Sequence, residues 1–391
     1  MSAANNSAAA ASISSKLPAV GTTIFSVMSQ LAAEHGAINL GQGFPDFDGP
    51  PELFDALERH MRAGRNQYAP MAGVPELREQ IALKTQRLYG RSVNADTQVT
   101  VTSGATEALY AVFAAVLHAG DEVILLDPCY DSYAPAIQLN GGVPVRVPLQ
   151  PPHFDVDWPA VRAAVTPRTR LILVNTPHNP TGAVFRRADL DALADIVRDT
   201  DILVLSDEVY EHIVFDGLPH HSVLSHDELA PRSFVVGSFG KTWHCTGWKI
   251  GYCVAPAPLS AEFRKVHQYL TFCTFAPAQY ALAEVMASLP EHCLQLPAFY
   301  QAKRDLFREQ MTGSRFHLPH VPGGYFQLVD YSRISNLPDL DFCQWLVAEH
   351  KVAAIPLSPF CARDPGTFLV RLCFAKNDDT LAAAAERLRA V

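Results

Sequence analysis

Lys241 stands in the stretch GSFGKTWHCTGWKIGY, residues 237–252, between two short apolar runs, FVVGS and KIGYCVA. An ammonium group at the end of a buried strand is unfavourable unless it is paired or reactive. A lysine amine that spends time deprotonated can attack an aldehyde to form a Schiff base. Other unusual residues follow other apolar runs. After QVTVT comes Ser103-Gly104-Ala105-Thr106, a turn suited to open a helix, and after EVILL come Asp127, Pro128 and Tyr130. LILVN is followed by TPHNPTG, with Asn179 and Pro180; ILVLS by Asp207, Glu208 and Tyr210; FVVG by Ser238 and Lys241. In open α/β sheets, ligands bind beyond the carboxyl ends of the strands, so these groups are expected to share one site.

Each piece alone has an ordinary reading. SGATEA is a common helix start, Asp207 could cap a helix, Tyr130 could be core, and Asn179-Pro180 could be a turn. GQGFPDF lacks the third glycine of a dinucleotide loop. Together the pieces make chemical sense. The helix start at Gly104, Ala105 and Thr106 offers backbone N–H groups and a positive dipole end to a phosphate, and Ser238 and Lys249 add a hydroxyl and a charge. A carboxylate such as Asp207, facing a pyridine nitrogen, keeps that ring protonated and electron-withdrawing. Phosphate, aldehyde and pyridine nitrogen are the three handles of pyridoxal phosphate, the cofactor this pattern predicts.

The chain that must position these groups has 391 residues, 48% of them apolar, with 31 basic and 40 acidic side chains for a net charge of -9. The length favours two domains, and the acidic balance argues against a nucleic-acid partner. No apolar run is long enough for a membrane span. The opening MSAANNSAAAASISS reads as a disordered tail without export features, and the eight cysteines form no CxxC pair, so a cytoplasmic chain with reduced thiols is expected. From about Gln98 to Pro256 short Val/Ile/Leu runs alternate with helical stretches, predicting an α/β fold with a mostly parallel sheet between helices. A helix near 297–312, YFQLVDY, a helix through DFCQWLVAEH, then VAAIPL, TFLVRLCF and a terminal helix predict a smaller α+β unit. The expected division is an N-terminal segment 1–50 packing with the small domain or a partner subunit, a large domain 51–287, and a small domain 288–391.

The motifs NTPHNPTG, SDEVYEHI and SFGKTWHCTGWKIGY resemble those of the fold-type I, class I aminotransferases. GQGFPDFDGP, NQYAPMAGVPELRE and VAAIPLSPF with VRLCFAK resemble the branch holding the methionine aminotransferases and the kynurenine/glutamine transaminases. The resemblance runs from about Ile24 to the C-terminus and implies a seven-stranded, mostly parallel sheet. It implies that Lys241 carries the cofactor and shuttles the substrate proton, that Asp207 pairs with the ring nitrogen, and that Tyr210 and Asn179 bond its phenolic oxygen. Tyr130 would stack on the ring. Ala105, Thr106, Ser238 and Lys249 would hold the phosphate, with Tyr68 reaching it from the other subunit of a homodimer with shared sites. Arg371 would clamp the substrate carboxylate with Asn179 and the Gly43 backbone, and the Asn179–Pro180 bond would be cis. Many relatives have arginine where Lys249 stands, and no role follows for Trp243 or Cys245.

The implied reaction moves an amino group from an α-amino acid to a 2-oxo acid by ping-pong kinetics. A β-lyase acting on cysteine conjugates and, ranked last, a cofactor-binding regulatory module are the alternatives. Phe44, Phe272 and Phe275 are candidate pocket walls, and no second arginine stands out for a distal carboxylate. Uncharged thioether or aromatic amino acids are therefore expected over aspartate.

Overall fold

The computed structural model describes residues 13–391, so most of the expected N-terminal tail lies outside the described residues. The strands are β1 (Ile38–Asn39), β2 (Val99–Thr102), β3 (Glu122–Asp127), β4 (Val143–Pro148), β5 (Thr169–Asn175), β6 (Leu203–Asp207), β7 (Ser233–Ser238), β8 (Gly251–Val254), β9 (Phe326–Asp330), β10 (Val352–Ala353), β11 (Ile355–Pro356) and β12 (Leu369–Cys373). Seven of them form one sheet in the order β2-β8-β7-β6-β5-β3-β4. Only β8 runs against its neighbours, pairing antiparallel with both β2 and β7.

The near-continuous apolar character of these strands follows from burial on both faces. Side chains alternate across the sheet. Val123, Leu125, Leu171, Leu173, Leu205, Phe234 and Val236 enter one core, with the helices Gly104–Val116 and Ala257–Leu270. Their strand neighbours Ile124, Leu126, Ile172, Val174, Val204 and Val235 enter the other. Helices on both sides therefore fix the carboxyl edge of the sheet as the place where loops converge.

The remaining strands make two small sheets. β11, β12 and β9 form an antiparallel three-stranded sheet, and β1 pairs in parallel with β10. The run VAAIPL is thus divided: its first half joins β1 and its second half joins β12. The N-terminal helix Ile24–His35 is capped by Thr23, whose hydroxyl accepts from the Ser26 N–H, and ends at Gly36 in the left-handed conformation. It buries Met28 and Ala32 and contacts the helix Asp339–His350, so this segment packs on the small sheets within its own chain. The helix expected from 297 begins earlier, at His292, and runs through Pro297 to Gln310. Among the described residues no helix is long and apolar enough to cross a membrane.

Candidate active site

The ends of β5, β6 and β7, the helix start at Gly104 and the small sheet's β12 surround one cavity. Its lining includes Gly43, Gly104, Ala105, Thr106, Tyr130, Asn179, Asp207, Tyr210, Ser238, Lys241, Lys249 and Arg371. Twelve residues singled out from sequence thus come together. Tyr68 does not line the cavity in its own chain; it is 85% exposed and packs edge-on against Phe272. Phe44, Phe272 and Phe275 are exposed and do not line it within this chain; the apolar residues that do include Phe25, Leu109, Ile250 and Phe326. Phe44 instead lies under the Lys376 ammonium, 4.8 Å from its ring centre, and Phe272 packs on Tyr68.

The anion end of the cavity is built by close backbone approach. Gly104 has φ +79, and a Cβ there would meet Lys249 Nζ at 3.3 Å. A Cβ on Gly251 would meet the Ala105 nitrogen at 2.9 Å, so β8 can pass this near the helix start only as glycine. The result is a helix N-terminus, the Ser238 hydroxyl and the Lys249 ammonium facing one space.

Asp207 closes β6 and is 4% exposed. Its Oδ2 accepts from the Tyr133 hydroxyl at 2.7 Å and its Oδ1 from the Val209 N–H at 3.3 Å. Burial pushes its carboxyl up to about 6, against the pull of those two hydrogen bonds. Among the described residues no lysine or arginine lies close enough for an ion pair with it, and the charge of Lys241 is the weakest of the influences that pull its pKa back down. A buried carboxylate without a cationic side-chain partner suits a protonated ring nitrogen. Asn175, opposite Asp207 in register, donates to the Asp207 carbonyl at 2.8 Å and accepts from the Asn179 N–H at 2.8 Å. The Asn179–Pro180 bond is cis, as expected from sequence.

Lys241 projects from the short helix Phe239–Thr242 after β7. Its Nζ donates to the Gly43 carbonyl at 3.0 Å and to the Tyr325 hydroxyl at 2.8 Å. Burial lowers its pKa to about 8, which leaves a usable fraction of free amine near neutrality. Tyr210 is buried, with its ring 5.7 Å from Lys241 Nζ and edge-on to Tyr325. Tyr130 lies edge-on to Tyr133, ring centres 5.6 Å apart.

Arg371 of β12 is 1% exposed. It donates to Asn179 Oδ1 at 2.7 Å and to the Gly41 carbonyl at 3.0 Å, and its guanidinium lies 3.8 Å from the Phe326 ring centre. Its Nε is buried without a partner among the described residues. Three contributors were not identified from sequence. Asn175 is the last residue of β5 and Tyr133, three residues after Tyr130, opens the short helix Tyr133–Leu139 that follows β3, so nearness to strand ends already singled out could have found them. Tyr325 precedes β9, far along the chain, and carries no local signal.

A phosphate cradle, a buried unpaired carboxylate and a lysine of lowered pKa on a seven-stranded mixed sheet define a fold-type I pyridoxal-phosphate enzyme. The donor set fits that cofactor at each of its three handles. The model of the family "aminotransferase class I and II" matches residues 35–388, and the chain belongs to that family. It is 59% identical over 375 residues to the methionine aminotransferase of Escherichia coli strain K12, covering 96% of this chain and 97% of that one. A probable N-succinyldiaminopimelate aminotransferase of Mycobacterium tuberculosis is 40% identical over 385 residues, covering 96% and 97%. A solved Escherichia coli structure, described as that of a methionine aminotransferase, superposes with a TM-score of 0.96 at 58% identity, covering 97% of this chain and 100% of the other. The protein is a pyridoxal-phosphate-dependent aminotransferase acting on amino acids and 2-oxo acids. These relatives are all aminotransferases and do not favour the lyase or regulatory alternatives.

Proposed function

We propose that this enzyme takes the amino group of an uncharged α-amino acid, methionine foremost, and passes it to a 2-oxo acid in a ping-pong exchange. The observation that carries this reading is the convergence of Lys241, Asp207 and Arg371 on one cavity whose other walls include Phe25, Leu109, Ile250 and Phe326. Among the described residues Arg371 is the one arginine in that lining, which leaves a second carboxylate, as in aspartate, without a guanidinium of its own. The similarity to a methionine aminotransferase points the same way.

Pyridoxal phosphate, when bound, supplies the electron-withdrawing ring that accepts the pair released at the substrate's α-carbon. The chain's residues do the rest. Gly104, Ala105, Thr106, Ser238 and Lys249 would hold the phosphate through N–H groups, a hydroxyl and a charge. Asp207, buried and fixed by Tyr133, would keep a proton on the ring nitrogen. Tyr210 and Asn179 would hold the ring's phenolic oxygen, and Tyr130 would pack against the ring. Arg371 grips the α-carboxylate by two parallel N–H bonds, with help from Asn179 and the Gly43 backbone, and so sets the α-carbon beside Lys241. With the cofactor bound, Lys241 Nζ would be the group beside the α-carbon that takes the α-proton on its lone pair and gives it up again.

The working assembly in this reading is a homodimer with shared sites: Tyr68, 85% exposed here, is then free to reach the partner subunit's phosphate group. Eight free thiols support a reducing, cytoplasmic setting. The test of substrate choice is kcat/KM for methionine against aspartate with one common 2-oxo acid. A ratio well above one is expected; a ratio below one overturns the methionine assignment and leaves the transferase chemistry standing.

A further inference from the structure

The free amine of Lys241 meets three parts of the fold at once. Lys241 comes from the short helix after β7, Gly43 from the segment after β1, and Tyr325 from the residue before β9. Nζ lies 3.0 Å from the Gly43 carbonyl oxygen and 2.8 Å from the Tyr325 hydroxyl oxygen. Tyr325 in turn donates its hydroxyl proton to the same Gly43 carbonyl at 2.6 Å.

That third bond decides the polarity of the other two. The Tyr325 hydroxyl also neighbours that of Tyr210, but an approach of 2.6 Å to a carbonyl, which can only accept, places its single proton on the Gly43 side, so toward Lys241 the phenol accepts. A carbonyl can only accept as well. With the two oxygens 2.6 Å apart, both acceptors lie on one side of the nitrogen. The N–H bonds of a neutral amine turn toward that side, and its lone pair, repelled by both oxygens, is left on the other. Lys241 and Gly43 line the cavity whereas Tyr325 does not, so the phenol supports the amine from behind. Tyr325 is fully buried and its ring is held edge-on by Tyr210 at 5.1 Å and Phe326 at 4.9 Å, so its hydroxyl has little freedom to swing away.

We propose that Tyr325 and the Gly43 carbonyl form a two-acceptor cradle that aims the lone pair of the freed Lys241 amine at the substrate's α-carbon, making Tyr325 a positioning residue for proton transfer. In the step it serves, the α-C–H bond breaks, its electron pair is left at the α-carbon, from which the bound cofactor's ring would withdraw it, and the proton forms a new N–H bond on the Nζ lone pair. The resulting ammonium has an additional proton to give, and the two oxygens hold its other N–H bonds while that proton leaves. This inference rests on the assignment of Lys241 as the group that moves the α-proton.

The test compares Tyr325→Phe with Tyr300→Phe. Tyr300 is equally buried, its ring is 5.8 Å from that of Tyr325, and its hydroxyl has no partner among the described residues, so it controls for loss of a buried oxygen. For Tyr325→Phe, kcat for methionine should fall about 10- to 100-fold, the scale expected for a misaimed proton-transfer group. KM should change little, and the isotope effect with α-deuterated methionine should rise as proton transfer becomes limiting. Pyridoxal-phosphate affinity, measured by fluorescence titration, should match wild type. In the cofactor-free protein, the pKa of Lys241 followed by NMR of the labelled amine should drop, because the ammonium loses an acceptor. The other groups facing that amine, Cys373, Arg371, Lys249, Asp207 and Tyr210, are unchanged in the variant. Normal kcat and isotope effect in Tyr325→Phe, or an equal loss in Tyr300→Phe, overturn the cradle. Retained turnover in Lys241→Ala overturns the lysine assignment beneath it, which is a separate result.

Discussion

Replacing Arg371 by lysine keeps the charge and removes the geometry. An arginine has five N–H donors. In Arg371 two are spent, on Asn179 and on the Gly41 carbonyl, and three remain, including the buried Nε without a partner. That leaves enough for two parallel bonds to a carboxylate while the guanidinium face rests on Phe326. A lysine offers a point charge and recovers at most one of the two substrate bonds. One charge-assisted hydrogen bond is worth about 1.5–3 kcal/mol and a buried cation–ring contact about 0.5–2 kcal/mol. A loss of about 2–4 kcal/mol corresponds to a fall in kcat/KM of roughly 30- to 1000-fold. The assay sets methionine beside the corresponding amine that lacks the carboxylate, each with wild type and variant. The loss is expected for methionine and not for the amine. Because Arg371 also holds Asn179, cofactor affinity is measured in parallel. An equal loss for both substrates refutes the carboxylate role and leaves Arg371 as a structural brace.

Lys241→Ala should abolish transamination while pyridoxal phosphate still binds reversibly through the phosphate cradle; turnover and cofactor retention after gel filtration check the two halves. Asp207→Asn removes a buried counter-charge and should lower kcat by roughly 100- to 5000-fold, equivalent to about 3–5 kcal/mol, read by steady-state kinetics. In the cofactor-free protein the same substitution should change stability in a pH-dependent way. Asp207 is raised to about 6 by burial, so the folded state binds its proton more tightly than the unfolded chain and wild type loses stability as pH rises from about 4 to 6. Urea unfolding of both proteins should therefore show Asp207→Asn gaining on wild type by about 2–3 kcal/mol between those limits, and a gap independent of pH would contradict the raised carboxyl.

The order of strands along the chain and the chemistry at their ends were legible in the sequence, because continuous Val/Ile/Leu runs bounded by Gly, Pro, Asn and Asp carry a local signal. Lys241, Asp207 and Asn179 stood out for the same reason: polar or charged residues directly after buried strands are locally anomalous. The resemblance to aminotransferases added the roles that spacing alone does not give, including that of Arg371. Only the tertiary structure decided which groups touch. It brought Tyr325 and Gly43 onto the Lys241 amine across 84 and 198 residues of chain, and Arg371 onto Asn179 across 192. It also put Phe25 and Phe326 in the cavity wall, which within this chain Phe44, Phe272 and Phe275 do not reach. Aromatic residues read alike whether they face a pocket, a core or solvent, since the sequence fixes their apolar area and not the direction of a loop. Long-range hydrogen bonds leave no periodic trace in the chain; they appear once the two sides of the sheet and the small unit have packed around one edge.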